Sequence, residues 1–374
     1  MTKLLIIAND ESTLLNFRLE ILEHFTAKGY QVVACYPLGE HTDKLLATGC
    51  QVEHLTVSRR GKNILQDFKM MLNCRKLIKK HKPQAVLTYT VKPNIYASFA
   101  CKWTKTPYIN NVTGLGSVLA GGGMLAKLIL MLQKLAYKGS SCVFFQNEAN
   151  RQALLEKGVI SSKTPTRLLP GSGVNLNMQK LEDFPADDGI MRFVMVSRIR
   201  EDKGFGEFFE AAQRLKSDIT EFHVVGGCEE DAWAEKLQQL QSSGVIIYHG
   251  KKTQQEVHDI VVKCQCLVHP SYHEGMANVL LEAAATGRPV VATNIPGCRE
   301  TFDEGVSGYG CKVQDADSLT EAMQKMLDTP YDARNAMGRK GREKMEREFD
   351  RQIVANIYTE EIEKLQQKET LANV

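Results

Sequence analysis

The sequence predicts an α/β protein made of two doubly wound, Rossmann-like domains that face each other across a cleft. Short apolar and β-branched runs alternate with amphipathic helical stretches along the whole chain. This alternation is typical of parallel sheets covered by helices on both faces. It is interrupted in a polar segment with Pro and Gly at residues 181–189, which we interpret as a linker, and then starts again. A length of 374 residues also suits two or three domains.

The first series of elements predicts an N-terminal domain over residues 1–180. Its predicted strands are Leu4–Ala8, Gln31–Cys35, Val52–Leu55, Ala85–Thr88, Tyr108–Asn111 and Cys142–Phe145. Its predicted helices are Phe17–Lys28, Ile64–His81 and Asn147–Lys157.

The second series predicts a C-terminal domain over residues 186–350. Its predicted strands are Phe193–Ser197, Phe222–Val225, Val245–Tyr248, Cys266–His269 and Val290–Ala292, with helices at Glu207–Lys216 and Thr253–Lys263. In open α/β sheets, ligands bind beyond the carboxyl ends of the strands. The loops that follow these strands are therefore the first places to look for a site.

Composition narrows the class of protein and its compartment. With 43% hydrophobic and 24% charged residues, the chain is neither disordered nor fibrous. Its ten cysteines form no CxxC pair, which argues against a zinc cluster or a disulfide framework and favours a reducing, cytoplasmic setting. The first apolar run, Leu4–Ala8, is too short for a signal peptide or a membrane span.

Charge is distributed unevenly between the two halves. Residues 1–170 contain 23 Lys and Arg against 10 Asp and Glu, whereas the remainder contains 24 against 34. From Phe68 to Asn147 there is no acidic residue. A solvated basic helix face would explain one cluster, but so long a stretch favours an anionic partner such as a membrane surface, lipid phosphate or nucleic acid.

The segment Met124–Tyr137 has the pattern of an amphipathic helix. Lys127, Lys134 and Lys138 recur on one face, and leucines recur at helical spacing. A helix lying in the headgroup region of a membrane has this pattern. A buried domain helix with snorkelling lysines has it as well, and the sequence leaves both interpretations open.

Two cations follow the first strand of the second domain. Arg198 and Lys203 lie in the loop after Ser197, so the strand delivers them to the carboxyl edge of the sheet. A planar guanidinium and a mobile ammonium together suit a diphosphate. For either residue alone, a solvated turn would be the default interpretation.

A second candidate site follows the strand Cys266–His269. Asn278 is the expected N-cap of a helix through Thr286, closed by a glycine, and the amides at such a helix start attract anions. Glu274 and Glu282 bracket the helix start and lie too far apart to share a proton or a metal ion. This layout suits a nucleotide sugar, with hydroxyl groups at both ends and a diphosphate between them. The alternative, two unrelated surface glutamates, explains less of the pattern.

The residues from Pro270 to Glu300 resemble the second domain of GT-B glycosyltransferases of family 4. Glu274-x7-Glu282 matches the EX7E motif of that family, and the pair Arg198 and Lys203 resembles its diphosphate clamp. The resemblance implies that Glu274 contacts the donor sugar and that Glu282 binds the ribose. It implies that the donor also contacts Gly226 and the loop Gly275-Met276-Ala277-Asn278, where the family often has Phe-Pro in place of Met276-Ala277. It further implies that a C-terminal helix, here within residues 351–374, crosses back to the first domain.

The first domain resembles family members that extend polyprenyl-diphosphate-linked sugars. The similar segments are Asn16-Phe17-Arg18 and Thr113-Gly114-Leu115-Gly116. Arg18 is a candidate to bind an acceptor or donor phosphate, and a surface salt bridge is the alternative. Gly114 and Gly116 with Gly121–Gly123 suit either a mobile loop or tight turns.

The resemblance implies an enzyme that transfers a hexose or N-acetylhexosamine with retention from a nucleotide sugar, expected to be UDP-linked, to a lipid-linked saccharide. It implies no cofactor and no metal, and Asp315-Ala316-Asp317 is more simply the start of a helix. We expect a peripheral protein on the inner face of the membrane, active in surface polysaccharide synthesis, without a nucleic-acid partner.

A nucleotide-sugar epimerase and a non-enzymatic polybasic membrane module are the alternatives. No GxGxxG follows the first strand, which argues against a dehydrogenase.

Overall fold

The computed structural model describes residues 2–57, 64–115 and 123–372. The chain forms two compact units, one of Met1–Gly173 with Arg351–Val374 and one of Val174–Asp350. The chain therefore passes between the units twice, at residues 173–174 and 350–351, and the polar segment 181–189 lies inside the second unit.

The first unit contains a seven-stranded parallel sheet in the order β3-β2-β1-β4-β5-β6-β7. The strands are β1 (Lys3–Ile7), β2 (Gln31–Tyr36), β3 (Gln51–His54), β4 (Ala85–Tyr89), β5 (Tyr108–Val112), β6 (Cys142–Phe145) and β7 (Thr166–Leu168). The strand order reverses between β1 and β4, which is where doubly wound sheets open a crevice at their carboxyl edge.

Helices cover both faces of this sheet. The helices are α1 (Glu11–Phe17), α2 (Leu19–Ala27), α3 (Thr42–Ala47), α4 (Ile64–His81), α5 (Val91–Thr104), α6 (Gly123–Tyr137) and α7 (Glu148–Glu156). Alternate residues of each strand point to opposite faces. Leu5, Val33 and Val143 accordingly pack under the layer that contains α4, α5 and α6, whereas Leu4 and Val32 pack under α2 and the C-terminal helix.

The second unit contains a six-stranded parallel sheet in the order β10-β9-β8-β11-β12-β13. Its strands are β8 (Met191–Val196), β9 (Thr220–Val225), β10 (Ile247–Tyr248), β11 (Cys266–His269), β12 (Val290–Thr293) and β13 (Gly308–Cys311). Its helices are α8 (Phe205–Leu215), α9 (Asp231–Ser242), α10 (Gln254–Val261), α11 (Asn278–Ala285), α12 (Ala316–Asp328) and α13 (Tyr331–Lys344). Buried aromatic side chains of α8 pack on the sheet, where Phe208 meets Phe222 edge to face.

The last helix, α14 (Arg351–Ala372), belongs to the first unit, as predicted. Tyr358, at its centre, is fully buried, packs its ring 4.9 Å from that of Phe144, and donates a hydrogen bond to Asn111. Arg351, at its start, forms an ion pair with Glu20 of α2. Burial of the aromatic ring stabilises this docking.

Most predicted strands are present to within a residue or two, and three differences have clear causes. The strands β7 and β13 were not predicted, because β7 has three residues and β13 reads Gly-Tyr-Gly-Cys. The predicted helix Phe17–Lys28 corresponds to α2 (Leu19–Ala27), and the helix α1 (Glu11–Phe17) before it was not predicted. Arg18 separates the two helices, because its φ of −136° and ψ of −4° break the helical path.

Candidate active site

Two loops converge at the carboxyl edge of the second sheet, because β8 and β11 are neighbouring strands. The amide of Tyr272 donates to the carbonyl of Asp202 at 3.0 Å. Gly204 has a φ of +78°, and a Cβ at this position would lie 2.1 Å from the carbonyl oxygen of Pro270. Only glycine permits this approach. The sheet order and Gly204 thus bring the two candidate sites predicted from sequence into contact.

The contact between these loops is an ion pair between Lys203 and Glu274. The Nζ of Lys203 lies 2.6 Å from Oε1 of Glu274, and the Nε2 of His269 lies 3.0 Å from the same oxygen. Burial alone would raise the pKa of Glu274. The hydrogen bond from His269 and the charges of His269 and Lys203 outweigh burial, and they lower the pKa to about 2. Glu274 is therefore an ionised carboxylate in a fixed position.

His269 belongs to this site, although the sequence alone predicted no role for it. It is the last residue of β11, it is 3% exposed, and its Nδ1 has no hydrogen-bond partner among the described residues. The sequence signal was a histidine that ends a buried strand five residues before the first glutamate of the motif.

A glycine of the next loop supports the segment that carries Glu274. Gly297 has a φ of +88°, and a Cβ there would lie 2.9 Å from the carbonyl oxygen of Glu274 and 2.8 Å from that of Gly275. Its carbonyl accepts a hydrogen bond from the amide of Ala277 at 2.8 Å, and its own amide donates to Glu300 at 2.7 Å. The sequence alone does not predict this role of Gly297, because its contact with the segment that carries Glu274 depends on the adjacency of β11 and β12.

The start of α11 differs from the prediction. Ala277, rather than Asn278, is the N-cap, no side chain caps the helix, and Asn278 is its first residue. The hydrogen bond from Ala277 to Gly297 fixes the entry of the chain one residue earlier than the side-chain preference of Asn would. The helix ends at Ala285, one residue earlier than expected, with Gly287 at a φ of +81°.

The two cations of the predicted clamp have different surroundings. Lys203 is half-buried against Glu274 and also reaches the hydroxyl of Ser271 at 3.4 Å, whereas Arg198 is exposed. The structure therefore places one cation inside the site and leaves the other at its solvent side.

Gly226 and Glu282, two further residues predicted to contact the donor, have different surroundings. A Cβ at Gly226 would lie 1.7 Å from the carbonyl oxygen of Ser197, so this glycine is required for close approach of the loops after β8 and β9. Glu282 is half-buried in α11 and lines a recess with Gln254 and His258 of α10. Gly275 and Met276, in the segment between Glu274 and α11, are buried.

In the first unit, Arg18 is buried rather than exposed, so the alternative of a surface salt bridge is wrong. It is 2% exposed, its guanidinium lies 4.6 Å from the centre of the Tyr89 ring, and its Nη1 donates to the carbonyl of Phe17 at 2.6 Å. Thr113 and Gly114 follow β5 at the carboxyl edge, as the sequence predicted. Gly116 and most of the predicted glycine loop lie outside the described residues.

The helix α6 lies on the surface with one face on the sheet. Ala136 and Tyr137 are buried, whereas Met124 is 88% exposed and Leu128 is 43% exposed. The helix α6 is therefore a domain helix that packs one face on the sheet and leaves apolar side chains and lysines exposed. Among the described helices, none combines the length and the apolarity that a membrane span requires.

Asp315 caps a helix, as predicted. Its carboxylate accepts a hydrogen bond from the amide of Ser318 at 2.8 Å, at the start of α12. Within the described ranges, no three His, Cys, Asp or Glu side chains are grouped so that they could hold a metal ion.

Comparisons with known proteins identify the family of each part of the chain. The family "Glycosyl transferases group 1" matches residues 180–344, and the family "Glycosyl transferase 4-like" matches residues 3–147. The chain is 27% identical to the N,N'-diacetylbacillosaminyl-diphospho-undecaprenol alpha-1,3-N-acetylgalactosaminyltransferase of Campylobacter jejuni, over 93% of this chain and 94% of that protein. It is 24% identical to the capsular polysaccharide biosynthesis glycosyltransferase CapM of Staphylococcus aureus, over 81% of this chain and 83% of that protein.

A solved structure gives the fold. The structure of Anabaena HepE in complex with UDP and glucose matches the whole of both chains with a TM-score of 0.77 at 17% identity. Two parallel sheets, a C-terminal helix that returns to the first unit, and two matched family domains therefore lead to one conclusion. The chain is a GT-B glycosyltransferase, composed of a glycosyl transferase 4-like domain and a group 1 domain.

Proposed function

We propose that this enzyme transfers a hexose or N-acetylhexosamine, with retention of anomeric configuration, from a nucleotide sugar to a polyprenyl-diphosphate-linked saccharide. The observation that carries the proposal is the ionised carboxylate of Glu274, fixed by Lys203 and His269 at the carboxyl edge of the second sheet. The similarity to a transferase named for a diphospho-undecaprenol saccharide supports the acceptor class. The similarity to CapM supports a role in surface polysaccharide synthesis.

The donor is proposed to be a UDP-sugar bound between the loop after β8 and the start of α11. Lys203 and Arg198 supply positive charge at this edge, and the amides at the start of α11 add a partial positive charge. Glu274 then meets the sugar hydroxyls, and Glu282, half-buried in α11, meets the ribose. HepE, which shares the fold, binds UDP.

The transfer step follows from these charges. The acceptor hydroxyl attacks the anomeric carbon on the side from which the diphosphate leaves, and its proton passes to an oxygen of the leaving diphosphate. Lys203, Arg198 and the helix amides stabilise the charge that develops there. Glu274 remains a carboxylate throughout, because its lowered pKa keeps it ionised at neutral pH. With these cations in place, we propose that the reaction requires neither a metal nor another cofactor.

The acceptor is proposed to approach the first unit from an anionic membrane surface on the cytoplasmic side. Thr113 and Gly114 at the carboxyl edge of β5 are the proposed contacts, with Arg18 behind them. The exposed apolar residues of α6 and the lysines beside them would lie in the headgroup region. The ten cysteines are free thiols, which is compatible with a reducing compartment.

A two-stage assay tests this function. Thermal shift with a panel of UDP- and GDP-sugars identifies the donor, because a ligand that binds the folded chain raises its melting temperature. The chosen donor is then incubated with and without a short prenyl-diphosphate-linked saccharide, in the presence of EDTA. We expect a glycosylated product only with acceptor, and NMR of the product should show the anomeric configuration of the donor. Conversion of the sugar nucleotide without acceptor would indicate an epimerase instead, and stabilisation by no sugar nucleotide would overturn the proposal.

A further inference from the structure

The outward face of α4 carries exposed apolar side chains. They would have no role if α6 alone contacted the membrane. Leu65, Phe68 and Leu72 are 73%, 52% and 37% exposed. Their spacing of three and four residues places them on one stripe of the helix. The stripe continues into basic residues, with Lys76 and Lys79 both exposed. This stripe of α4 is thus apolar in its first half and basic in its second.

An exposed tryptophan lies at the end of the neighbouring helix. Trp103 of α5 is 55% exposed, and the guanidinium of Arg75 lies 4.0 Å from the centre of its ring. The helix α5 packs against α4 on one side and α6 on the other, so the three helices form one layer on one face of the sheet. The exposed apolar side chains of α4 and α6 therefore belong to the same layer.

We propose that the outward faces of α4 and α6, with Trp103, form a single surface that inserts into the headgroup region of an anionic bilayer. We call this the helix-layer surface. The inference rests on the proposed function and extends it, because it assigns α4 and Trp103 to the membrane contact. Apolar side chains that enter the acyl boundary, flanked by lysines that meet lipid phosphates, are the combination that interfacial helices use.

The charges of this region fit a bilayer. Between residues 64 and 138, the sequence contains one acidic residue, Asp67. Its carboxylate lies 2.7 Å from the Nζ of Lys92 and accepts a hydrogen bond from Tyr96 at 2.9 Å, so its charge is neutralised within the layer. A nucleic acid would satisfy the lysines through its phosphates but leave the leucine, methionine and phenylalanine side chains without an apolar partner. The observations therefore favour lipid over nucleic acid.

The two tryptophans of the chain allow a direct test. Trp233 packs against Phe205 and Phe209 in the core of the second unit, so the variant Trp233→Phe leaves Trp103 as the only indole. We expect vesicles of phosphatidylglycerol and phosphatidylcholine to shift the emission of Trp103 to shorter wavelength and to shield it from acrylamide. Vesicles of phosphatidylcholine alone should have a much weaker effect. An emission spectrum and quenching that anionic vesicles do not change would overturn the proposal.

A substitution in α4 tests its share of the surface. Phe68→Ser should weaken binding to anionic vesicles by about 10-fold, because an apolar side chain is no longer transferred from water. The matched control is Ile219→Ser, which removes an equally exposed apolar side chain, 54% accessible, from the second unit. Equal binding by Phe68→Ser and the parent would overturn the role of α4, and binding of duplex DNA without vesicle binding would overturn the choice of lipid.

These measurements need neither donor nor acceptor, so they fail or succeed independently of the proposed function. Phe68→Ser should transfer sugar to a short soluble acceptor analogue at the parental rate. Loss of that activity with unchanged vesicle binding would contradict the helix-layer surface and leave the transferase function standing.

Discussion

The two units share a doubly wound plan but present opposite electrostatics. In the second unit, the charges at the carboxyl edge are paired, since Lys203 and His269 both contact Glu274 within a half-buried site. In the first unit, the layer of α4, α5 and α6 presents lysines beside exposed apolar side chains, and its one acidic residue is already paired with Lys92. The sequence has the same asymmetry, with an excess of basic residues before position 170 and of acidic residues after it.

This difference indicates the kind of partner that each unit suits. A paired, partly desolvated carboxylate is rigid and suits a small polar ligand whose groups must be positioned within a few tenths of an ångström. Lysines beside exposed apolar side chains suit a large anionic partner that does not require a precise position. Substitutions in each unit should therefore differ in what they impair, with the largest effect expected at the paired carboxylate of the second unit.

Removal of the central carboxylate should have the largest effect. We expect Glu274→Ala to lower the transfer rate by at least about 100-fold, because it removes the fixed carboxylate that we propose contacts the reacting sugar. Circular dichroism should show an intact fold, and Glu321→Ala, at an exposed position of α12, should keep the parental rate. Turnover near that of the parent would contradict the assignment of Glu274.

The close approach of the loops after β8 and β9 should be sensitive to a single methyl group. Gly226→Ala would place a Cβ 1.7 Å from the carbonyl oxygen of Ser197, and we expect the free energy of unfolding to fall by about 2–4 kcal/mol. The control is Gly206→Ala in α8, where a Cβ meets no atom within 4 Å. That variant should be as stable as the parent or more stable by up to about 1 kcal/mol. Urea titration measures both, and equal stability of the two variants would show that the loops tolerate the extra atom.

Charge reversal on α6 should weaken membrane binding without affecting the chemistry. We expect Lys127→Glu/Lys134→Glu to bind anionic vesicles about 30-fold more weakly, at about 1 kcal/mol per lysine. The double variant Lys28→Glu/Lys44→Glu makes the same change in net charge on the other side of the first unit and should bind nearly as the parent does. Vesicle sedimentation distinguishes them, and identical binding of both double variants would mean that only net charge matters.

Acidification should destabilise the second unit through a half-buried histidine pair. His223 and His249 stack with 2.9 Å between ring nitrogens, and burial lowers the pKa of each below the ordinary value of 6.5. The unfolded chain therefore binds more protons than the folded one below pH 6.5, and stability is lost as the pH falls from there towards the lowered values. Unfolding followed by Trp233 emission should show this loss between pH 7 and pH 5, and His223→Gln should reduce it. A pH-independent unfolding free energy over this range would be inconsistent with the pair.

Local pattern was sufficient to predict most of the architecture. The strand Cys266–His269 and the helix Ile64–His81 have the predicted bounds, because buried parallel strands read as continuous apolar runs and amphipathic helices repeat every three to four residues. The pair Glu274 and Glu282 was identified from its position around the predicted helix start and from its resemblance to the EX7E motif. By contrast, β13 was missed because glycines weaken its strand signal.

The site itself needed contacts between distant segments. Lys203 was predicted to bind the diphosphate and Glu274 to bind the sugar, and the two residues are 71 positions apart in the sequence. They form an ion pair because β8 and β11 are adjacent strands. Asn278 lost its predicted capping role because Gly297, from the loop after β12, binds the preceding amide. A charged residue such as Arg18 is expected at the surface from sequence. It is buried because it lies where α1 and α2 meet, over the ring of Tyr89.

The sequence by itself determined the alternation of strands and helices, the uneven charge of the two halves and the residue types available at each strand end. These depend on side-chain chemistry and on spacing along the chain. Tertiary structure decided which of those residues meet, which cation is shielded and which apolar side chains remain exposed. Pairing, desolvation and exposure are properties of packed surfaces, and the order of strands in each sheet establishes those surfaces.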